Sequence, residues 1–292
     1  MTQAHLKKLL GPFPNKVPLK SKTISKDDCE DYIREKVEYS VERDERVRAY
    51  FLIPKKIRKK NCAIYCHHQH ASNFQLGKSE VVGIDGDKDQ AYAEDLVKRG
   101  YVTFAPDAIA FEERNLSNYT WHHNYYELAI RLIQGKTLLA KVLHDIIVGI
   151  DYIESRTEFK IDKIGFIGHS YGGKMALWTP VFDRRIRVSV SNCGCVNYKN
   201  SINKETGVQM EFCVPNILNE CDLEDIVRLI EPCSLLISAT TNDKWSRGAK
   251  EIYQYAKDAF SKGVLELKIY EGSHSFTEEM RINAYEFFDK YL

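Results

Sequence analysis

Hydrophobic positions along the chain follow two patterns, and the change from one to the other falls near residue 56. Before it, "KVEYSVE" and "VRAYFLIPKK" alternate apolar and polar residues around the charged "RDER" (Arg43 to Arg46). Alternation with period two puts one strand face inward and one in water, so this stretch predicts an antiparallel β pair. After it come six short apolar runs: "CAIYCHH", "YVTFAPD", "KIGFIGH", "RVSVSNC", "SLLISAT" and "LELKIYE". Runs this short, rich in β-branched and aromatic residues, are typical of strands buried on both faces.

Helical periodicity fills the intervals. "DQAYAEDLVKRG" stops on Gly100, and "LLAKVLHDIIVGIDYIESR" repeats apolar residues every three or four positions, as do "RGAKEIYQYAKDAFSKG" and "FTEEMRINAYEFFDKYL". Strand–helix alternation predicts an α/β fold: a mostly parallel central sheet, helices on both faces, and the antiparallel β pair at its amino-terminal side. With no internal repeat or low-complexity linker, residues 1–292 read as a single domain. Two connections, around 111–136 and 196–229, are too long for turns. In an α/β sheet such insertions at strand ends shape binding sites.

Composition removes several classes of function. A net charge of +1 gives no electrostatic ground for nucleic acid or an anionic membrane as partner, and "KKIRKK" (Lys55 to Lys60) reads as a solvated loop. No run approaches the roughly twenty apolar residues of a membrane span. Lys7 and Lys8 interrupt what would be a signal peptide's apolar core, so the expected location is the cytoplasm and the eight cysteines are expected as free thiols.

The chemistry centres on "KIGFIGHSYGGKMAL". Gly168-x-Ser170-x-Gly172 closes an apolar strand and opens a helical run, which is the setting of a nucleophile elbow: serine on a strained turn, hydroxyl projecting from the sheet top. Serine needs a base, and His274 in "EGSHSF" follows the last strand run. An acid must orient that imidazole, and Asp243 follows "SLLISAT". Asn242 beside it cannot carry the charge. Oxyanion donors are expected from the amide of Tyr171, after the nucleophile, and from the turn after the first parallel strand, where the amides of Gln69 and His70 remain alternatives. His67, His68 and His70 raise a zinc reading, but adjacent histidines on a strand point apart and no acidic partner pattern accompanies them, so no metal and no cofactor is expected. Trp121, in the aromatic run "NYTWHHNYYELAIRL", and Trp245, just past Asp243, are candidates to line a substrate pocket.

With Ser170, Asp243 and His274 in that chain order, the sequence resembles the α/β-hydrolase superfamily. More narrowly it is similar to the dienelactone hydrolase and acetyl xylan esterase-like branch, related to the catalytic domains of prolyl oligopeptidases. "AYFLIPKK", "HQHASNFQLGKSE", "RGYVTFAPDAIAFEER", "DYIESRTEFKIDKIGFIGHSYGG" and "DLEDIVRLIEPCSLLISATTND" carry the resemblance. It implies a serine carboxylic-ester hydrolase working through an acyl-enzyme on a small-molecule ester. Two rivals use the same fold: a peptidase of the prolyl-oligopeptidase type, and a ligand-binding protein without catalysis. The acyl and alcohol groups, and whether the chain forms a homo-oligomer, are not fixed by the sequence.

Overall fold

A computed structural model describes residues 1–57, 59 and 61–292. Arg58 and Lys60 of the basic run lie outside the described residues; Lys55 and Lys56, in the same run, are exposed. Among the described residues nine strands form one sheet: β1 (Lys22–Asp28), β2 (Tyr32–Glu42), β3 (Glu45–Pro54), β4 (Cys62–His67), β5 (Val102–Pro106), β6 (Lys163–His169), β7 (Ile186–Asn192), β8 (Ser234–Thr240) and β9 (Leu265–Tyr270). Their spatial order is β1-β2-β3-β5-β4-β6-β7-β8-β9. β4 to β9 run parallel, and β1 to β3 join antiparallel, with β3 antiparallel to β5.

The six parallel strands match the six apolar runs. The antiparallel group differs from the expected pair by one strand, β1. Every residue of β1 is exposed, so it lies at the sheet edge with no apolar alternation to betray it. The helix Gln3–Leu10 was equally hidden; it buries only Leu6 and Leu10.

Period-two alternation assigns the two faces. On β6, Ile164 and Phe166 enter the larger apolar cluster, together with Leu143, Ile146 and Ile150 of the helix Leu138–Ser155. Ile167 points the other way, into a cluster with Tyr92 and Leu96 of the helix Tyr92–Lys98 and with Met280 and Phe288 of the helix Glu278–Tyr291. Each inward side chain of this size is worth about 1.5–3 kcal/mol on burial. The connections at 111–136 and 196–229 are not irregular throughout. The first contains the helix His122–Ile133, and the second contains the short helices Tyr198–Ser201, Ile217–Glu220 and Leu223–Arg228. Among the described residues no helix is long and apolar enough to cross a membrane.

Candidate active site

Parallel strands end together, so the segments after β4, β6, β7, β8 and β9 converge on one sheet edge. Ser170 stands between β6 and the helix Tyr171–Phe182, at φ 57° and ψ −110°. That is a costly conformation for a residue with a side chain, and it persists because the surroundings fix it. The Ser170 amide donates to the Asn192 carbonyl at 2.8 Å, tying the elbow to β7.

Two glycines make the approach feasible. A Cβ on Gly168 would lie 2.3 Å from the Gly172 carbonyl carbon, and one on Gly172 would lie 2.1 Å from the His67 carbonyl oxygen. Backbone occupies both places, so nothing flexible can yield. Gly172→Ala is therefore expected to destabilise the protein by about 3 kcal/mol or more, read as a lowered urea midpoint. An unchanged midpoint would mean that the turn is looser than this packing implies.

Asp243 and His274 meet directly: His274 Nδ1 donates to Asp243 Oδ1 at 3.0 Å. A proton held at Nδ1 leaves the lone pair of Nε2 available. Asp243 also accepts from Ser246 Oγ at 2.6 Å and from the Trp245 amide at 3.0 Å. Burial alone would raise this carboxyl, yet the hydrogen bonds and charge of His274, with those of Ser246 and Trp245, hold it below the ordinary carboxylate range. Ser170 as a whole residue is 6% exposed, and its hydroxyl makes no hydrogen bond among the described residues. In an unliganded serine hydrolase such a bond often tightens only when substrate arrives.

Asn192 and His169 link the two halves of the site, and the sequence reading passed over both. Asn192 Nδ2 donates to His169 Nδ1 at 2.7 Å and to the Ser275 carbonyl at 3.0 Å. His169 is thereby fixed as the neutral Nε2–H tautomer, and burial presses its pKa well below the usual histidine value. Its ring lies 4.5 Å from that of His274. Thus one buried asparagine holds the serine's main chain, its neighbour and the loop that carries His274.

On the opposite side, the Ala108 amide donates to His68 Nε2 at 3.0 Å, which leaves the His68 proton on Nδ1, 2.7 Å from the Gln69 carbonyl. Burial lowers His68 to about 4, so the ring stays neutral and pins the turn. Among the described residues the amides of Gln69 and His70 donate no hydrogen bond, and Tyr171 opens its helix with an unpaired N–H. All three remain open as donors at the site. The Gln69 side chain turns away to Glu80, at 3.1 Å.

Trp245 and Trp121 are placed differently. The Trp245 ring lies 4.4 Å from the ammonium of Lys174, one helical turn beyond Ser170. Trp121 is half exposed and packs on His122 and Tyr125. Lys174 itself was overlooked, although a single charge inside "GGKMALWTPVF" was a visible signal. It is 7% exposed, and among the described residues its Nζ has no hydrogen-bond or ion-pair partner. Glu211 acts on it electrostatically, and among the described residues Glu211 Oε2 and Asn124 Oδ1 are buried without partners, while Asn124 Nδ2 donates to Glu211 Oε1 at 2.7 Å. Burial brings Lys174 down to about 7, against the opposing pull of Glu211 and Asp243.

With the elbow and the Asp243–His274 pair described, the comparison with known proteins is direct. The model of the dienelactone hydrolase family matches residues 78–289. The chain belongs to that family. As a family member it is a hydrolase, and its relatives are hydrolases by name. A protein of Bacillus subtilis (strain 168) named as a hydrolase, YtaP, is 30% identical over 228 residues, covering 77% of this chain and 75% of its own. Among solved structures, a Bacteroides fragilis NCTC 9343 protein described as an acetyl xylan esterase superposes with TM-score 0.73 at 19% identity, covering 92% of this chain and 73% of that one. A glucuronoyl esterase from Solibacter usitatus gives TM-score 0.67 at 14% identity, covering 98% and 91%. At these identities the two structures show a shared fold. This dienelactone hydrolase family member therefore has the architecture its sequence pattern implied.

Proposed function

We propose that the protein is a serine ester hydrolase in which Ser170 attacks the ester carbonyl, His274 takes its proton through Nε2, and Asp243 holds the imidazole. The observation that carries this reading is the pairing of a strained, unengaged serine with a His274–Asp243 hydrogen bond of 3.0 Å across the same strand ends. The oxyanion that forms on attack is held by the Tyr171 amide and by an amide of the Gln69–His70 turn, each worth roughly 3 kcal/mol where such donors have been removed in other enzymes. Alcohol leaves with the proton from His274. Water, activated by the same imidazole, then releases the acid.

The substrate is proposed to be a small, hydroxyl-rich ester of the carbohydrate type. Glu211 and Asn124 offer acceptors that are left unsatisfied among the described residues, and Lys174 adds a buried ammonium beside Glu211, at a cost that a hydroxylated ligand would remove. Trp245 adds a flat face beside them. The insertion at 196–229 also forms an open surface groove of about 380 Å³ whose lining includes Ile202, Phe212 and Ile217. The esterases named above, which act on carbohydrate esters by name, agree with this class. The test compares nitrophenyl acetate with the octanoate and with acetylated sugars. Turnover of acetates, with acetylated sugars at least about tenfold better in kcat/KM than a simple alkyl acetate, is the expected result. Preference for octanoate would reject the hydroxylated site.

Keeping an unpaired lysine buried costs stability, and this gives a second test. Lys174→Met is expected to stabilise the protein by about 1–4 kcal/mol while lowering kcat/KM on acetylated sugars. The direction with pH is fixed. Because the folded value, about 7, lies below the unfolded 10.5, the unfolded chain binds the extra proton in between, and native stability rises with pH across that window. The gain from methionine is thus greatest below pH 7 and shrinks as pH rises. Thermal unfolding of both proteins at several pH values measures it; a constant difference would mean that Lys174 carries no such penalty.

A further inference from the structure

We propose that Cys193, Asp243 and His274 together form an inhibitory site for a thiophilic divalent cation of the Zn²⁺ or Cd²⁺ kind. One ligand atom from each residue lies within 4.8 Å of the other two. That such an ion inhibits rests on the roles proposed above for Asp243 and His274; that it binds does not.

The three residues follow β7, β8 and β9, so the sheet itself brings them together. Cys193 sits at φ 48°, a turn that directs its sulfur beneath the loop carrying His274. The sulfur lies 3.7 Å from Thr240 Oγ1 and 3.5 Å from the Ser275 carbonyl oxygen, and ester hydrolysis makes no use of it. A thiolate, an imidazole nitrogen and a carboxylate oxygen make a donor set that prefers Zn²⁺ and Cd²⁺ to Mg²⁺ and Ca²⁺. A tetrahedral ion with ordinary bond lengths needs nitrogen and oxygen about 3.3 Å apart and sulfur about 3.5 Å from nitrogen. His274 Nδ1 and Asp243 Oδ1 stand at 3.0 Å, so they part by a few tenths of an ångström, while the sulfur, within 4.8 Å of both ligand atoms, closes by at most about 1.3 Å. The His274 side chain is 30% exposed, which gives the ion its entry and leaves a fourth position for water.

The step balances without any redox change. The thiol proton passes to solvent. The imidazole proton moves from Nδ1 to Nε2, and the metal replaces it between Nδ1 and Asp243. With Nε2 protonated, His274 can no longer accept a proton from Ser170. An ordinary thiol is still mostly protonated near neutrality and binds the ion only as thiolate, so about one proton is released per ion bound and inhibition strengthens about tenfold per pH unit there.

The experiment titrates the full chain with Cd²⁺, Zn²⁺ and, as a control, Mg²⁺. Two signals are followed: nitrophenyl acetate hydrolysis and the ultraviolet charge-transfer absorption of cadmium thiolate. Wild type, Cys193→Ser, Cys193→Ala and His274→Ala are compared, each rate against that variant's own metal-free rate. Inhibition by Cd²⁺ and Zn²⁺ that a chelator reverses is expected, with a midpoint at least about tenfold higher in both cysteine variants. The wild type should also show cadmium absorption beyond that of Cys193→Ser. Equal sensitivity of the cysteine variants, or no extra absorption, overturns the site. Should the cysteine variants not fold, His274→Ala decides, because its cadmium affinity must fall by about tenfold or more. A wild type that hydrolyses no ester still reports binding by absorption, so failure of the esterase reading stays separate from failure of the metal site.

Discussion

Ser170→Ala is expected to lower kcat on nitrophenyl acetate by roughly 10⁶-fold, the loss seen when the nucleophile of a concerted triad is removed. Residual rate should remain above the uncatalysed reaction, because the amides proposed as oxyanion donors, of Tyr171 and the Gln69–His70 turn, are untouched. Folding should survive. Alanine keeps the Cβ, and the positive φ is imposed by backbone: the Ser170 amide to Asn192, and the close contacts of Gly168 and Gly172. Circular dichroism and thermal unfolding check that point. An alanine variant with a hundredth of wild-type activity or more, in protein free of wild-type contamination, would place the nucleophile elsewhere.

Asp243→Asn is expected to cost about 10⁴-fold in kcat with little change in KM, since the amide can present its NH₂ to Nδ1 and leave the imidazole proton on Nε2. The same substitution has a signature in stability. Asp243 is held below its ordinary value by His274, Ser246 and Trp245. Its folded pKa lies below its unfolded one, so its contribution is complete above the unfolded 3.8 and is lost as pH falls through the depressed folded value. The variant lacks that term, and its stability should fall less steeply with acid than that of the wild type. Near neutrality it should be less stable by about 1–3 kcal/mol, because buried hydrogen bonds to a charged acceptor are lost. Parallel acid-denaturation curves with unchanged kcat would remove Asp243 from the site.

These two substitutions separate what the chain states locally from what it states only when folded. The six parallel strands and their helices were legible because burial on both faces demands continuous apolar runs, and helices packed on a sheet demand a stripe every three or four residues. Gly168, Ser170 and Gly172 were legible for a related reason: the elbow is a local structure, and its steric demands fall on neighbours in sequence. Asp243 and His274 were found by their place after a strand, with the order of the three residues as the guide.

Local pattern had nothing to say where the partner lies far along the chain. β1 is exposed at every position, and only pairing with β2 makes it a strand. Asn192 looks like the end of an apolar run, yet it bonds His169, the residue before Ser170, and Ser275, the residue after His274. Lys174 is an ordinary helical lysine until Glu211, Phe212 and Trp245, brought from two other loops, surround it without pairing with it. The sequence alone thus determined the layers of the sheet, the elbow and the three residues proposed to react. The tertiary structure decided which polar groups are left unsatisfied beside them. Hydrogen bonding is settled by distance in space, and periodicity records only which way each side chain faces.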